Sequence, residues 1–189
     1  MNYQHYFFIG FNYEDYKLKM ANDLENNPTK KYNEFIKLNQ HRMARVEKKY
    51  EVSLEITEAI KKLSTKVYWL VITENWCGDS SQITPALHKI AELSEGKIEL
   101  RFIYRDEHQD LINAHLTNNG QSIPKLIQLD ENFNVLKTWG PRPKEAQTLV
   151  QKLKANPATS PTYNNELHLW YARDNQSQLN IEIAHLLSQ

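Results

Sequence analysis

The first third of the chain repeats apolar residues at helical spacing within a background rich in Lys and Glu. Between residues 30 and 50 the apolar positions lie three, four or seven residues apart, which places them on one helical face. They are Tyr32, Phe35, Ile36, Met43, Val46 and Tyr50. Ser53 is a candidate N-cap of a further helix, and residues 26–29, with Pro28, are a candidate break between helices. Residues 1–65 are therefore predicted to form a helical extension whose charged residues face solvent.

At Lys66 the spaced pattern gives way to a continuous apolar run. The run Val67–Thr73 is β-branched and aromatic, which is typical of a strand buried on both faces. A helical segment, Ser80–Leu93, and a second strand, Ile98–Tyr104, follow after short joints. This strand–helix–strand order predicts two parallel strands joined by a right-handed crossover.

Shorter elements follow, separated by turn residues. A short helix is predicted over Glu107–Leu116. Strands Lys125–Leu129 and Phe133–Trp139 are predicted to form an antiparallel hairpin, because only a few turn residues separate them. A helix over Lys144–Lys154 completes an α/β domain spanning residues 66–155. Residues 156–189 are predicted to be a linker followed by a tail of one or two amphipathic helices packed on the domain.

Composition narrows the classes of function. The chain has 23 Lys and Arg against 23 Asp and Glu, so it lacks the basic excess typical of nucleic-acid binding. Its single cysteine excludes an internal disulfide, a thiolate-rich zinc site or a cysteine-held iron–sulfur cluster within one chain. No spacing typical of a metal site is present, and no apolar run approaches the ~20 residues that span a bilayer. A cytoplasmic protein without a membrane partner is expected, because the N-terminus lacks a secretory signal pattern.

The single cysteine, Cys77, lies between the first buried strand and the helix that follows it. In open α/β sheets, this end of a strand borders the crevice where ligands bind. The free N–H groups and dipole of a helix N-terminus favour a thiolate, whereas the nearby carboxylates of Glu74 and Asp79 disfavour it. The sequence therefore leaves the sign of the net pKa shift open.

The run Trp76-Cys77-Gly78-Asp79-Ser80, with Pro85 downstream, resembles the thioredoxin signature Trp-Cys-Gly-Pro-Cys and its helix proline. Ser122-Ile123-Pro124 resembles the Ile–cis-Pro site of that family, and Gly140 falls where the family has a glycine after its last strand. The resemblance covers about residues 66–154. The extension and the tail, including Trp170–Asp174, resemble a bacterial subgroup of thioredoxin-like proteins. The resemblance implies a thioredoxin-like α/β fold, a central mixed β-sheet flanked by helices.

Several departures from the family pattern bear on activity. Ser80 replaces the second motif cysteine, so a dithiol cycle within one chain is excluded. Asp79 replaces the motif proline, and Val71 stands where many thioredoxins carry a buried acid. Lys125 replaces the small hydroxyl residue common after the cis-proline. The resolving thiol and its proton acceptor are therefore missing together.

The resemblance then implies monothiol thiol–disulfide exchange or deglutathionylation, with Cys77 as the nucleophile and Ser80 as its hydrogen-bond partner. Protein or small-molecule thiols and disulfides would bind on Trp76, Gly78, Asp79, Ile123 and Pro124. No bound cofactor or metal is expected, and glutathione or another external thiol would resolve the mixed disulfide. The protein is expected to be a monomer or a weak dimer. The alternative is a non-catalytic binding or chaperone module that uses the same groove. The retained cysteine favours exchange, and the two flanking acids favour the binding module.

Overall fold

The computed structural model describes residues 1–26 and 32–188. Four helices precede the first strand: α1 (Tyr3–Ile9), α2 (Tyr13–Asn26), α3 (Asn33–Lys49) and α4 (Leu54–Lys62). The central part comprises β1 (Val67–Thr73), α5 (Gly78–Leu93), β2 (Ile98–Tyr104), α6 (Gln109–Asn113), β3 (Lys125–Leu129), β4 (Val135–Trp139) and α7 (Lys144–Ala155). A 3-10 turn (Ser160–Thr162) leads into α8 (Tyr163–Asp174) and α9 (Ser177–Leu187).

The strands form one mixed sheet in the order β2-β1-β3-β4. β1 and β2 are parallel, with Val67 opposite Ile98, and α5 connects them. β3 is antiparallel to both of its neighbours and pairs with β4 as a hairpin. The predicted strand–helix–strand unit, the hairpin and the mixed sheet flanked by helices are confirmed. The predicted break at residues 26–29 lies, beyond Asn26, outside the described residues.

Several element ends differ from the prediction. α5 starts at Gly78 because Cys77, in extended backbone, occupies the N-cap position before it. β4 starts at Val135, since Phe133 adopts a positive φ in the turn and stacks its ring on Tyr68 at 4.5 Å. α6 covers only Gln109–Asn113, because residues 105–107 form a turn and Ala114 already caps the helix.

Both faces of the sheet are covered, as the continuous apolar run of β1 predicts. Trp69 and Val71 face the larger apolar cluster, which includes side chains of α2, α3 and α5. Leu70 and Ile72 face a smaller cluster that includes Phe7 of α1. All four β1 side chains are fully buried. The buried indole N–H of Trp69 donates to the Gln128 side-chain oxygen at 3.0 Å, so this polar group is satisfied.

The extension and the tail both pack on this central part. Phe11 and Phe102 exchange two backbone hydrogen bonds of 2.9 and 2.8 Å, which covers part of the free edge of β2. α9 lies against α4, where the Tyr50 hydroxyl donates to Asn180 at 2.5 Å. Ile181, whose place in the amphipathic pattern of the tail predicts burial, is 59% exposed. Within the described residues, no helix is long and apolar enough to cross a membrane.

Candidate active site

Cys77 lies where β1 has ended and α5 begins, beside the loop that enters β3. Its side chain is part of the smaller apolar cluster, and the residue is only 8% exposed. The thiol donates to the backbone oxygen of Ile123 across 3.4 Å. The Ile123–Pro124 peptide is cis, and both residues are buried. The fold thus brings together Cys77, Ile123 and Pro124, which are distant in the sequence.

Gly140 keeps this loop close to the end of β4. A Cβ atom at Gly140 would lie 2.3 Å from the Pro124 oxygen, and the residue adopts a φ of +116°. Both the close approach and the left-handed backbone favour glycine at this position. The next peptide, Gly140–Pro141, is also cis.

Ser80 occupies the first turn of α5 and is fully buried. Its hydroxyl accepts a hydrogen bond of 2.8 Å from the Thr73 hydroxyl at the end of β1. A hydrogen bond from the Ser80 side chain favours the thiolate and lowers the pKa of Cys77. The fold thus brings Ser80 close to Cys77 and binds its hydroxyl to Thr73, a contact that the sequence does not reveal.

Opposing effects act on the pKa of Cys77. Burial raises it most, and the carboxylate of Asp79 raises it further. Hydrogen bonds from the Ser80 hydroxyl and from the backbone N–H groups of Ser80 and Asp79 lower it. The sum raises the pKa of Cys77 to about 11, so the thiol is protonated at neutral pH. Burial is the contribution that the sequence does not reveal.

Asp79 is bound by two side chains from the far end of the chain. The Arg142 guanidinium donates to it from Nε and Nη2, the closest approach being 2.5 Å. The Tyr171 hydroxyl donates to the same carboxylate at 2.6 Å. Asp79 is only 7% exposed, and Tyr171 is fully buried. This cluster anchors α8 and the turn before α7 to the first turn of α5.

α8 also covers Gly78. A Cβ atom at Gly78 would lie 2.8 Å from Nε2 of His168 and 3.4 Å from a terminal nitrogen of Arg42. His168 contacts the Gln82 amide at 3.2 Å. Burial and the positive charge of Arg42 lower the pKa of His168 to about 4, so its imidazole is neutral at pH 7. The helical extension and the tail therefore both reach the Cys-Gly-Asp-Ser turn.

Trp76 is half-buried and forms contacts on its ring faces. Its ring stacks with Tyr32 at 5.2 Å, with 26° between the planes. The guanidinium carbon of Arg105 lies 5.0 Å from the ring centre. The indole therefore lies between the extension and the turn after β2. In the described part of the chain, no group of three or more His, Cys, Asp or Glu side chains could hold a metal ion.

These motifs and this topology agree with the comparison to known families. A family model described as Thioredoxin matches residues 26–154. The chain belongs to this thioredoxin family. The matched region starts before α3, so it includes two helices of the extension as well as the sheet.

Two crystal structures are similar to this member of the thioredoxin family. One is a protein of unknown function, PA1234, from Pseudomonas aeruginosa, with a TM-score of 0.65 and 21% identity over 96% of this chain and 93% of that chain. The other is an HIV epitope scaffold, with a TM-score of 0.64 and 21% identity over 98% of this chain and 96% of that chain. No curated protein matches this chain. At this identity, the two structures support the fold alone.

Proposed function

We propose that this protein performs monothiol thiol–disulfide exchange through Cys77. The observation that carries the proposal is the position of the thiol: Cys77 occupies the N-cap position of α5, and its sulfur lies 3.4 Å from the backbone oxygen of Ile123. The N–H groups of residues 79 and 80 and the Ser80 hydroxyl all favour the negative charge that forms on the sulfur before attack. Ile123 and Pro124 would contact the substrate beside the sulfur, as strand-like peptides contact a free backbone edge.

Thiol–disulfide exchange through Cys77 would take place in two steps. The Cys77 thiolate attacks one sulfur of a disulfide, the old S–S bond breaks, and the leaving thiolate takes up the proton that Cys77 released. An external thiol then attacks the mixed disulfide at the substrate sulfur and releases the Cys77 thiolate. The external thiol is required because Ser80 cannot form a disulfide, and glutathione is one candidate. A cytoplasmic location suits the scheme, since thiols are kept reduced there.

A non-catalytic binding module is the second candidate, and the raised pKa of Cys77, about 11, favours it. At pH 7 a thiol with that pKa is almost entirely protonated and reacts slowly. The same groove beside Ile123 and Pro124 would then bind an extended segment without turnover. The buried Asp79 cluster is compatible with both candidates.

Turnover separates the two candidates. We expect the protein to accelerate the reduction of hydroxyethyl disulfide by glutathione, with the rate rising between pH 7 and 10 and lost in Cys77→Ser. Ser80→Ala should slow the reaction, because it removes a hydrogen bond that favours the thiolate. Ser81→Ala is the matched control, since the Ser81 hydroxyl donates to the Gly78 oxygen at 2.7 Å. No acceleration at any pH, with extended peptides still bound by Cys77→Ser, would favour the binding module.

A further inference from the structure

A cavity of about 530 Å³ is lined in part by the loop that leads from β1 to Cys77. Its other walls come from α2, from the start of α3, and from the end of β2 with the turn that follows it. The side chains that bear on its chemistry are Lys19, Asp23, Glu74, Trp76, Tyr104 and Glu107. Trp76 is common to the cavity and the thiol site, because it lines the cavity, precedes Cys77 in the chain and packs on the cluster containing Cys77.

Tyr104 carries a polar group that no described residue hydrogen-bonds. The residue is 8% exposed, and its buried hydroxyl has no hydrogen-bond partner among the described residues. Burial raises the pKa of Tyr104 most, and Asp23, Glu74 and Glu107, which line the same cavity, raise it further. Buried hydroxyls in native proteins are normally hydrogen-bonded. This hydroxyl can therefore accept a hydrogen bond from a molecule that enters the cavity.

The charges around the cavity favour one sign of charge on the molecule that binds there. Among the described lining residues, four are acidic and one, Lys19, is basic. Burial raises the pKa of one of the acids, Glu74, to about 7, so this carboxyl group is only partly ionised at pH 7. Lys19 is already placed over the Phe11 and Tyr104 rings, at 5.2 and 5.9 Å, and Asp106 is paired with Arg105 at 2.7 Å. Three lining residues, Tyr32, Trp76 and Tyr104, are aromatic, and cations of the protein already use two of these rings: Arg105 lies over Trp76 and Lys19 over Tyr104. An anion in the cavity would be repelled by the acidic side chains. A cation with N–H groups could instead donate hydrogen bonds to these side chains and to the Tyr104 hydroxyl.

We propose that this cavity is a subsite for an organic cation, an ammonium or guanidinium group carried by the thiol or disulfide that reacts at Cys77. The cation donates to the Tyr104 hydroxyl and to the neighbouring carboxylates, with Trp76 as one wall. The inference rests on the proposed exchange activity and specifies its substrate class. Anionic thiols are then poorer partners than cationic ones, and the carboxylates raise the local concentration of cationic substrates.

Direct binding tests the cavity independently of exchange. Amide and indole NMR signals are followed while the full-length protein is titrated with benzylamine, or with benzyl alcohol as its neutral counterpart. We expect benzylamine to shift the signals of residues 74–76 and to bind about tenfold more tightly than benzyl alcohol. Tyr104→Phe and Glu107→Gln should each weaken the binding, and Glu131→Gln, a carboxylate in an exposed turn, should not. Equal binding of the two probes, or shifts elsewhere only, would overturn the proposal.

Exchange tests the substrate class. Cys77-dependent rates are compared for cystamine, hydroxyethyl disulfide and dithiodipropionate, which are cationic, neutral and anionic. The ratio of cystamine to dithiodipropionate rates should fall severalfold in Glu107→Gln and in high salt, and stay unchanged in Glu131→Gln. This comparison between variants cancels the intrinsic reactivities of the disulfides. Reaction with all three and no variant-dependent preference would overturn the subsite alone. No Cys77-dependent reaction with any of them would overturn the proposed function, while the benzylamine titration would still decide on the cavity.

Discussion

The carboxylate of Asp79 is expected to restrain the reactivity of Cys77, and its removal is the sharpest single perturbation of the thiol. Asp79 raises the pKa of Cys77, second only to burial. The substitution Asp79→Asn removes that negative charge and leaves the Arg142 guanidinium, which was 2.5 Å from the carboxylate, as a positive neighbour. Both changes favour the thiolate, so the pKa of Cys77 should fall below about 11.

The size of the effect on rate follows from the thiolate fraction. With a pKa of about 11, about one Cys77 in a thousand is ionised at pH 8. Each pKa unit removed raises that fraction tenfold. The thiolate also becomes a weaker nucleophile as its pKa falls, by about threefold per unit. The net gain in alkylation rate at pH 8 is therefore about three- to fourfold for each pKa unit that Asp79→Asn removes.

The assay is alkylation of folded protein by iodoacetamide between pH 7 and 11, followed by intact mass. Asp15→Asn, an exposed carboxylate in the first turn of α2, is the matched control and should leave the profile unchanged. The double variant Asp79→Asn with Arg142→Gln should give a pKa between those of the single variant and the natural protein. The reasoning is refuted if the pH dependence of alkylation in Asp79→Asn is unchanged or moves to higher pH. Circular dichroism must show that the variant is folded.

Four further predictions concern stability and are read from urea unfolding. Burial raises the pKa of Glu74 from 4.5 to about 7, so the contribution of Glu74 to stability is fully present below pH 4.5 and is lost as the pH rises through 7. The free energy of unfolding of Glu74→Gln should therefore rise by about 2 kcal/mol relative to that of the natural protein between pH 4.5 and 8. The absence of a relative rise would contradict this prediction. The pKa of His168 is lowered from 6.5 to about 4, so the natural protein should lose about 2 kcal/mol of unfolding free energy as the pH falls from 6.5 to 4. His168→Gln should remove this loss. The same decrease in stability at low pH in the variant would argue against the prediction. Gly78→Ala should cost about 1–3 kcal/mol because its Cβ would meet His168, and an equal cost in a His168→Ala background would show that the two do not touch. Tyr171→Phe should cost about 1–2 kcal/mol by removing the 2.6 Å hydrogen bond to Asp79, and a neutral result would assign that hydrogen bond no net contribution.

Features encoded locally could be predicted from the sequence. The continuous run of β1 gives a strand buried on both faces, and its bounds, Val67–Thr73, match the prediction. The parallel pairing of β1 with β2 follows from the length of the connecting helix. The position of Cys77 at the start of α5 follows from the same local order. Burial of tail positions was less predictable, because Ile181 shares the helical spacing of buried residues and still faces solvent.

Features that depend on distant contacts could not be predicted. Asp79 meets Arg142 and Tyr171, which lie 63 and 92 residues further along the chain. The proximity of His168 to Gly78 and the cavity beside Trp76 likewise depend on how the extension and the tail pack. The sequence signals were present but ambiguous, since an arginine between two prolines or a tyrosine on an amphipathic helix has many roles. Burial, which raises the pKa of Cys77 most, also depends on distant residues, because Cys77 packs in an apolar cluster with Ile123.

Formation of a mixed disulfide on Cys77 tests the central claim most directly. The folded protein is incubated with hydroxyethyl disulfide at pH 9, and intact mass is recorded over time. We expect one mercaptoethanol adduct, absent in Cys77→Ser and removed by added thiol, forming faster as pH rises toward 11. As a control, the same protein unfolded in urea should be fully modified. If the folded protein then gains no adduct, Cys77 is not the attacking thiol.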